Sequence, residues 1–150
     1  MKIAILNRQR RRKIPTKMVR AAAVKILSDL GCTSSELSVS IVGDRTMRAL
    51  NRDYLRKDRP TNVISFSMQE GEYGSIAPDL LGDVVISADT AAREAEDAGI
   101  TFHERLVFLL LHGIHHLTGY DHERSGEVEA RRMEAKEAEL FAALRMHGLT

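Results

Sequence analysis

The chain has 150 residues, 43% hydrophobic and 29% charged, with a formal net charge of +1, an ordinary composition for one globular domain spanning residues 1–150. No apolar run approaches the roughly 18 residues that cross a bilayer, and the N-terminal basic cluster follows the first apolar run instead of preceding one, so neither a membrane partner nor a secretion signal is expected. The single cysteine, Cys32, excludes an internal disulfide framework and a cysteine-built zinc knot, and the expected location is cytoplasmic.

Lys2 to Asn7 alternates apolar and polar residues as a first strand does. A basic loop over 8–14 ends at Pro15, which suits the first turn of a helix. From Thr16 to Leu30 apolar residues recur at helical spacing, and Gly31 closes the helix. Leu37 to Val42 alternates as a second strand. Asp44 is read as the N-cap of a helix reaching about Leu55 and buried along Met47, Leu50 and Tyr54. Asn62 to Met68 is a third strand, 69–79 a glycine-containing loop and Leu80 to Ser87 a fourth strand.

Ala88 to Asp97 forms a short helix ended by Gly99. Thr101 caps the next, with Glu104 completing a capping box. That helix, Phe102 to about Thr118, is apolar nearly all round and therefore belongs at the centre of the domain. Ser125 to His147 gives a last amphipathic helix. The expected fold is α+β: a sheet of about four strands, about five helices, and the central helix against one sheet face.

The central helix ends in His112-Gly-Ile-His-His116-Leu-Thr-Gly119-Tyr-Asp-His122. Residues four apart on a helix share a face, so His112 and His116 can point at one ion. Gly119 can end the helix in a left-handed turn and return His122 toward the same ion. Three histidines without an evident fourth ligand describe a catalytic site with one position open to water. Zinc is the expected metal, with nickel or another divalent ion also suited to imidazoles. The spacing is that of metzincin proteases, but Gly113 stands where those carry the glutamate base. The missing side chain is expected to leave room beside the metal for a bulky substrate. His115 lies off the ligand face and is expected to support a ligand or face solvent.

Charge is uneven along the chain. Residues 1–20 carry Lys2, Arg8, Arg10, Arg11, Arg12, Lys13, Lys17 and Arg20 without one acid, and Arg45, Arg48, Arg52, Arg56, Lys57 and Arg59 precede Pro60. Two basic groups beside a metal motif favour RNA as the partner.

The histidine motif with Gly113 and Tyr120-Asp121, together with Lys57-Asp58-x-Pro60-Thr61-Asn62-Val63-Ile64-Ser65-Phe66 and Leu81-Gly82-Asp83-Val84-Val85-Ile86-Ser87, resembles the YbeY family over nearly the whole chain. The resemblance implies a mixed sheet surrounded by helices. It also implies a metal-dependent endoribonuclease that cuts single-stranded RNA and acts in ribosomal RNA maturation. Small-subunit 3′-end processing and ribosome quality control, with the small ribosomal subunit as partner and no DNA, are its further implications.

The family is thought to use an arginine two positions before its Lys-Asp pair. Here that slot holds Leu55, so Arg56 is the candidate cation, with Arg59 as an alternative. Asp121 is expected to orient an imidazole and Tyr120 to pack the turn. Asp58, Thr61 and Asn62 should shape the entry to the third strand, and Asp83 should be a turn or ligand-supporting residue. Two other readings stand beside this one: a metzincin-like peptidase, and a non-catalytic ribosome-assembly factor with a structural metal.

Overall fold

A computed structural model describes residues 1–68, 79–118 and 126–150. Its elements are β1 (Lys2–Asn7), α1 (Thr16–Asp29), β2 (Glu36–Val42), α2 (Asp44–Leu55), β3 (Val63–Ser67), β4 (Leu80–Ser87), α3 (Ala88–Ala98), α4 (Phe102–Leu117) and α5 (Glu127–Met146). The sheet order is β1-β2-β4-β3. β2 runs parallel to β1 and β4, whereas β3 pairs antiparallel with β4 at one edge. The fold is the expected α+β arrangement of a mixed four-stranded sheet and five helices.

Side-chain alternation gives the sheet two different faces. Val84 and Ile86 of β4 join the main core with α1, α4 and α5. Val85 points the other way, into a smaller cluster with Val42, Met47 and Ile64 beneath α2. α4 is the centre of the main core: Leu106, Leu109, Leu110, Leu111 and Ile114 are each no more than 1% exposed. Such side chains contribute roughly 1.5–3 kcal/mol apiece relative to exposure. The helix expected to be central is central.

Several local expectations are corrected. Pro15 sits at the N-cap position of α1, one residue before the first turn. Asp44 occupies the first turn of α2, where Gly43 is the cap, and its own N–H is taken by Asp89 Oδ2 at 2.9 Å. Tyr54 is 66% exposed, its ring edge-on to Phe66, because α2 covers that sheet face only through Met47 and Leu50. Thr101 caps α4 by accepting the Glu104 N–H, but the Glu104 carboxylate reaches Arg145 of α5 instead of closing a capping box. Asp83 lies inside β4, opposite Phe66, and lines a groove with Val85 on the face turned from α4. It therefore supports nothing on the histidine helix.

α4 approaches the sheet closely at one residue. A Cβ on Gly113 would stand 2.6 Å from Val84 Cγ1 and 3.2 Å from Val63 Cγ2. The space left by the missing side chain is thus filled by β3 and β4, not open beside a metal, which corrects the expectation for this residue. Gly113→Ala should lose stability: overpacking against two β-branched side chains costs about 1–3 kcal/mol, and the better helix propensity of alanine returns about 1 kcal/mol. Urea unfolding checks this, and a variant as stable as wild type would show that α4 can slide off the sheet freely.

A second joint ties α2 to the β4–α3 turn. Asp44 accepts hydrogen bonds from Ser87 Oγ at 2.7 Å and Thr90 Oγ1 at 2.6 Å, and pairs with Arg93 at 2.7 Å. Burial pushes its carboxyl up, but those bonds outweigh burial and hold it below the ordinary carboxylate range. A depressed folded value stabilises above the unfolded value of roughly 4 and loses that contribution as pH falls through the folded value. Asp44→Asn should therefore destabilise by about 1–3 kcal/mol at pH 7. The gap from wild type should narrow below about pH 4, as read from denaturation at both pH values; a pH-independent gap would refute the assignment.

Candidate metal centre

His112 and His116 stand one turn apart near the end of α4. Their Nε2 atoms converge to 3.1 Å, with ring centroids 4.5 Å apart and planes at 77°. A tetrahedral ion with metal–nitrogen bonds of roughly 2.0–2.1 Å holds neighbouring nitrogens about 3.3 Å apart. The pair thus has the separation that two imidazole ligands of one ion require. His122, together with Gly119, Tyr120 and Asp121, lies outside the described residues. Among the described residues no group of three ligating side chains is assembled.

The other nitrogen of His112 is fixed from α5. Its Nδ1 lies 2.9 and 3.1 Å from the two carboxylate oxygens of Glu137, and His115 Nδ1 lies 3.3 Å from one of them. Glu137 and His115 are each 7% exposed. Burial raises the Glu137 carboxyl, but the hydrogen bonds and charges of His112 and His115 win and hold it at about 2. In the neutral ring that a metal would take, a carboxylate accepting the Nδ1–H leaves the lone pair on Nε2, the atom facing His116. A carboxylate that fixes tautomer and ring angle in this way is the usual support of a metal-binding histidine. Donor type, spacing and tautomer all fit a divalent ion.

Glu137 was not legible in the sequence. It is one of many acids on an acidic helix, 25 residues beyond His112, and nothing in its local pattern separates it from its neighbours. His115, expected to support a ligand or face solvent, is buried and shares Glu137.

The cleft beside the histidines is lined by Asn62, Ser65 and Ser67 of the β3 segment, by Leu117, and by Leu55 from the end of α2. Leu55, in the slot where an arginine was expected, faces this cleft and is 50% exposed. Arg56 is the C-cap of α2 in the left-handed region, φ 58°, exposed and not among the lining residues. Asp58 pairs with Arg48 at 2.8 Å, and Asn62 bonds Glu94 and the Val63 N–H, so both shape the approach to β3 as expected. Of the N-terminal cations, Arg11 and Arg12 are drawn to Asp89. Gly113, at the base position of a peptidase, faces Val84 and has no room for a carboxylate.

Glu137→Ala should weaken metal binding by roughly 10–100-fold while Glu137→Gln, which keeps an acceptor, should lose less. Competition with a chromogenic chelator measures both, and equal affinity in all three proteins would remove Glu137 from the site. His115→Ala should keep the metal, because its ring lies off the shared face of His112 and His116. Loss of the ion in that variant would overturn the ligand assignment.

The sequence model of the family described as endoribonuclease YbeY matches residues 4–145. Proteins named endoribonuclease YbeY from Geobacter metallireducens and Geobacter sulfurreducens are each 66% identical over 149 residues, covering 99% of both chains. One of that name from Aquifex aeolicus is 45% identical over 127 residues, 85% of this chain and 83% of its own. A solution structure from Thermotoga maritima, 22% identical, superposes with a TM-score of 0.63 over 98% of this chain and 94% of that one, a likeness of fold. With family match, full-length identity and histidine-helix geometry in agreement, the chain belongs to the endoribonuclease YbeY family.

Proposed function

We propose that the protein is a metal-dependent endoribonuclease that hydrolyses phosphodiester bonds of single-stranded RNA. We propose further that it acts in ribosomal RNA maturation and quality control on the small subunit, including 3′-end processing, in the cytoplasm. The observation that carries the activity is the pair of Nε2 atoms 3.1 Å apart, fixed from behind by Glu137 and opening onto a cleft. Membership of the family supports the RNA substrate. His112, His116 and His122 are the proposed ligands, and zinc the proposed ion, with nickel or another divalent metal as the alternative.

When bound, the ion supplies Lewis acidity toward a phosphoryl oxygen and toward water. The chain's own residues do the positioning. Glu137 holds His112 in one tautomer, and the bond from Ser65 Oγ to the Gly113 carbonyl, 2.9 Å, fixes the cleft wall against the ligand helix. Arg56, next in the chain to the cleft-lining Leu55, is the proposed source of charge stabilisation, and Arg59 is the alternative. An oriented donor of this kind typically contributes roughly 10²–10³ in rate.

His116→Ala should lose bound metal and RNA cleavage together, measured by metal analysis and by cutting of an unstructured oligoribonucleotide. Full cleavage without a stoichiometric ion would overturn the metal mechanism. Arg56→Ala should cut RNA at least roughly 10²-fold more slowly with metal content unchanged, and wild-type rates in both Arg56→Ala and Arg59→Ala would exclude the loop from catalysis.

A further inference from the structure

The carboxyl edge of the sheet carries charge that the metal centre does not use. β1, β2 and β4 are parallel and end together there, with Asn7 opposite Ile41 and Val42 opposite Ser87. The basic loop 8–13 leaves β1 at this edge, and the first turns of α2 and α3 follow β2 and β4 beside it. The loop is a braced structure. The Arg8 N–H continues the ladder to the Ile41 carbonyl at 2.8 Å, and Ile14 anchors the far end in the core. Between them Gln9 holds the turn: its Nε2 donates to the Arg12 carbonyl at 2.7 Å, and its Oε1 accepts the Arg12 N–H at 2.9 Å.

The acids of the two first turns, Asp44 and Asp89, are engaged within the fold. Asp89 takes the Arg12 guanidinium at 3.0 Å and the Asp44 N–H at 2.9 Å, and Asp44 takes Arg93 at 2.7 Å. Arg8, Arg10, Lys13 and Arg45 are exposed, and among the described residues no carboxylate pairs with them. Unpaired positive charge is therefore gathered on one edge and held in place by the loop and by α2.

Fixed surface cations without a pocket fit an RNA phosphate backbone, whose contacts position a strand without reading its sequence. The edge also adjoins the cleft. Ser87, whose hydroxyl bonds Asp44, donates its N–H to the carbonyl of cleft-lining Asn62 at 2.9 Å. Met68 and Asp79, which flank residues 69–78, lie at the opposite edge, where the Asp79 carbonyl accepts the Glu36 N–H at 2.7 Å.

We propose that this edge is a second RNA-contact surface, on which Arg8, Arg10, Lys13 and Arg45 hold phosphates of the strand outside the cut. It anchors the substrate and takes no part in the cleavage step. The assignment rests on the endoribonuclease reading above and names how that enzyme grips RNA beyond its cleft.

The test uses the full chain loaded with zinc and two fluorescein-labelled unstructured oligoribonucleotides. One has about 5 nucleotides and the other about 30, more than a single-strand site of ordinary size accepts. Arg8→Gln combined with Arg10→Gln and Lys13→Gln removes the unpaired cations of the loop. This variant should bind the long strand roughly tenfold or more weakly at ~0.1 M salt, and its slope of log affinity against log salt should be shallower by about 2. Affinity for the short strand, kcat, metal content and melting midpoint should keep their wild-type values. Arg131→Gln with Arg132→Gln and Lys136→Gln takes the same charge from α5 and should leave long-strand binding unchanged. Wild-type affinity and slope in the loop variant would overturn the contact surface while the endoribonuclease reading stands. An equal loss in the α5 variant, or an equal loss on the short strand, would do the same. Tighter loop-dependent binding of poly-glutamate than of the long strand would make the edge an acidic-protein surface and overturn it too. If wild type binds the long strand through the loop but cuts neither RNA, the endoribonuclease reading fails and the contact surface stands.

Discussion

Everything at the site depends on how closely α4 lies on the sheet. Gly113 allows the helix backbone to rest against Val84 and Val63. A larger residue would lift the helix and carry His112 and His116 away from β3. The contact is fixed by apolar packing along α4 and by a polar tie, Ser65 to the Gly113 carbonyl. Core and site are therefore one object: the residues that stabilise the domain also set the position of the imidazoles. Ligands on a buried helix are held more rigidly than ligands on loops, which is what a catalytic ion needs.

The same close packing explains why a protease-like spacing need not give a protease. In the metzincin pattern the residue after the first histidine is a glutamate that must reach the substrate. Here that position points into the sheet, so the ligand spacing is kept while the place for the base is taken by Val84. The polar support comes from the opposite side, where Glu137 of α5 meets His112 and His115. α5 thereby has two roles. It covers the core through Leu140 and Leu144, and it supplies the buried carboxylate behind the ligand helix.

Charge is distributed along similar lines. The N-terminal basic stretch is partly neutralised within the fold, through Arg11 and Arg12 on Asp89 and Lys2 on Glu36. In the second basic group, Arg48 and Arg52 are paired with Asp58 and Asp53. The loop around Arg56 and Lys57 follows directly on Leu55 at the cleft. Counting cations along the chain overstates the basic surface, because carboxylates near and far in sequence, from Asp53 to Asp89, pair with them.

The sequence by itself determined the elements, the α+β class, the central place of α4 and the shared face of His112 and His116. These follow from local periodicity and from helix geometry, which act over a few residues. It also carried the family, because the histidine motif and the β3 and β4 segments are contiguous. The tertiary structure decided the rest. That Glu137 lies behind His112, that Asp89 accepts the Asp44 N–H in the first turn of α2, that Asp83 faces away from α4, and that Leu55 faces the cleft while Arg56 is exposed outside it all depend on which segments meet. A left-handed residue at Arg56 is a one-residue event that rotates the following side chains, and no periodic pattern announces it. Gly113 shows the division most plainly: its identity is read from the chain, but its role as the helix–sheet contact exists only once Val84 and Val63 are packed against it.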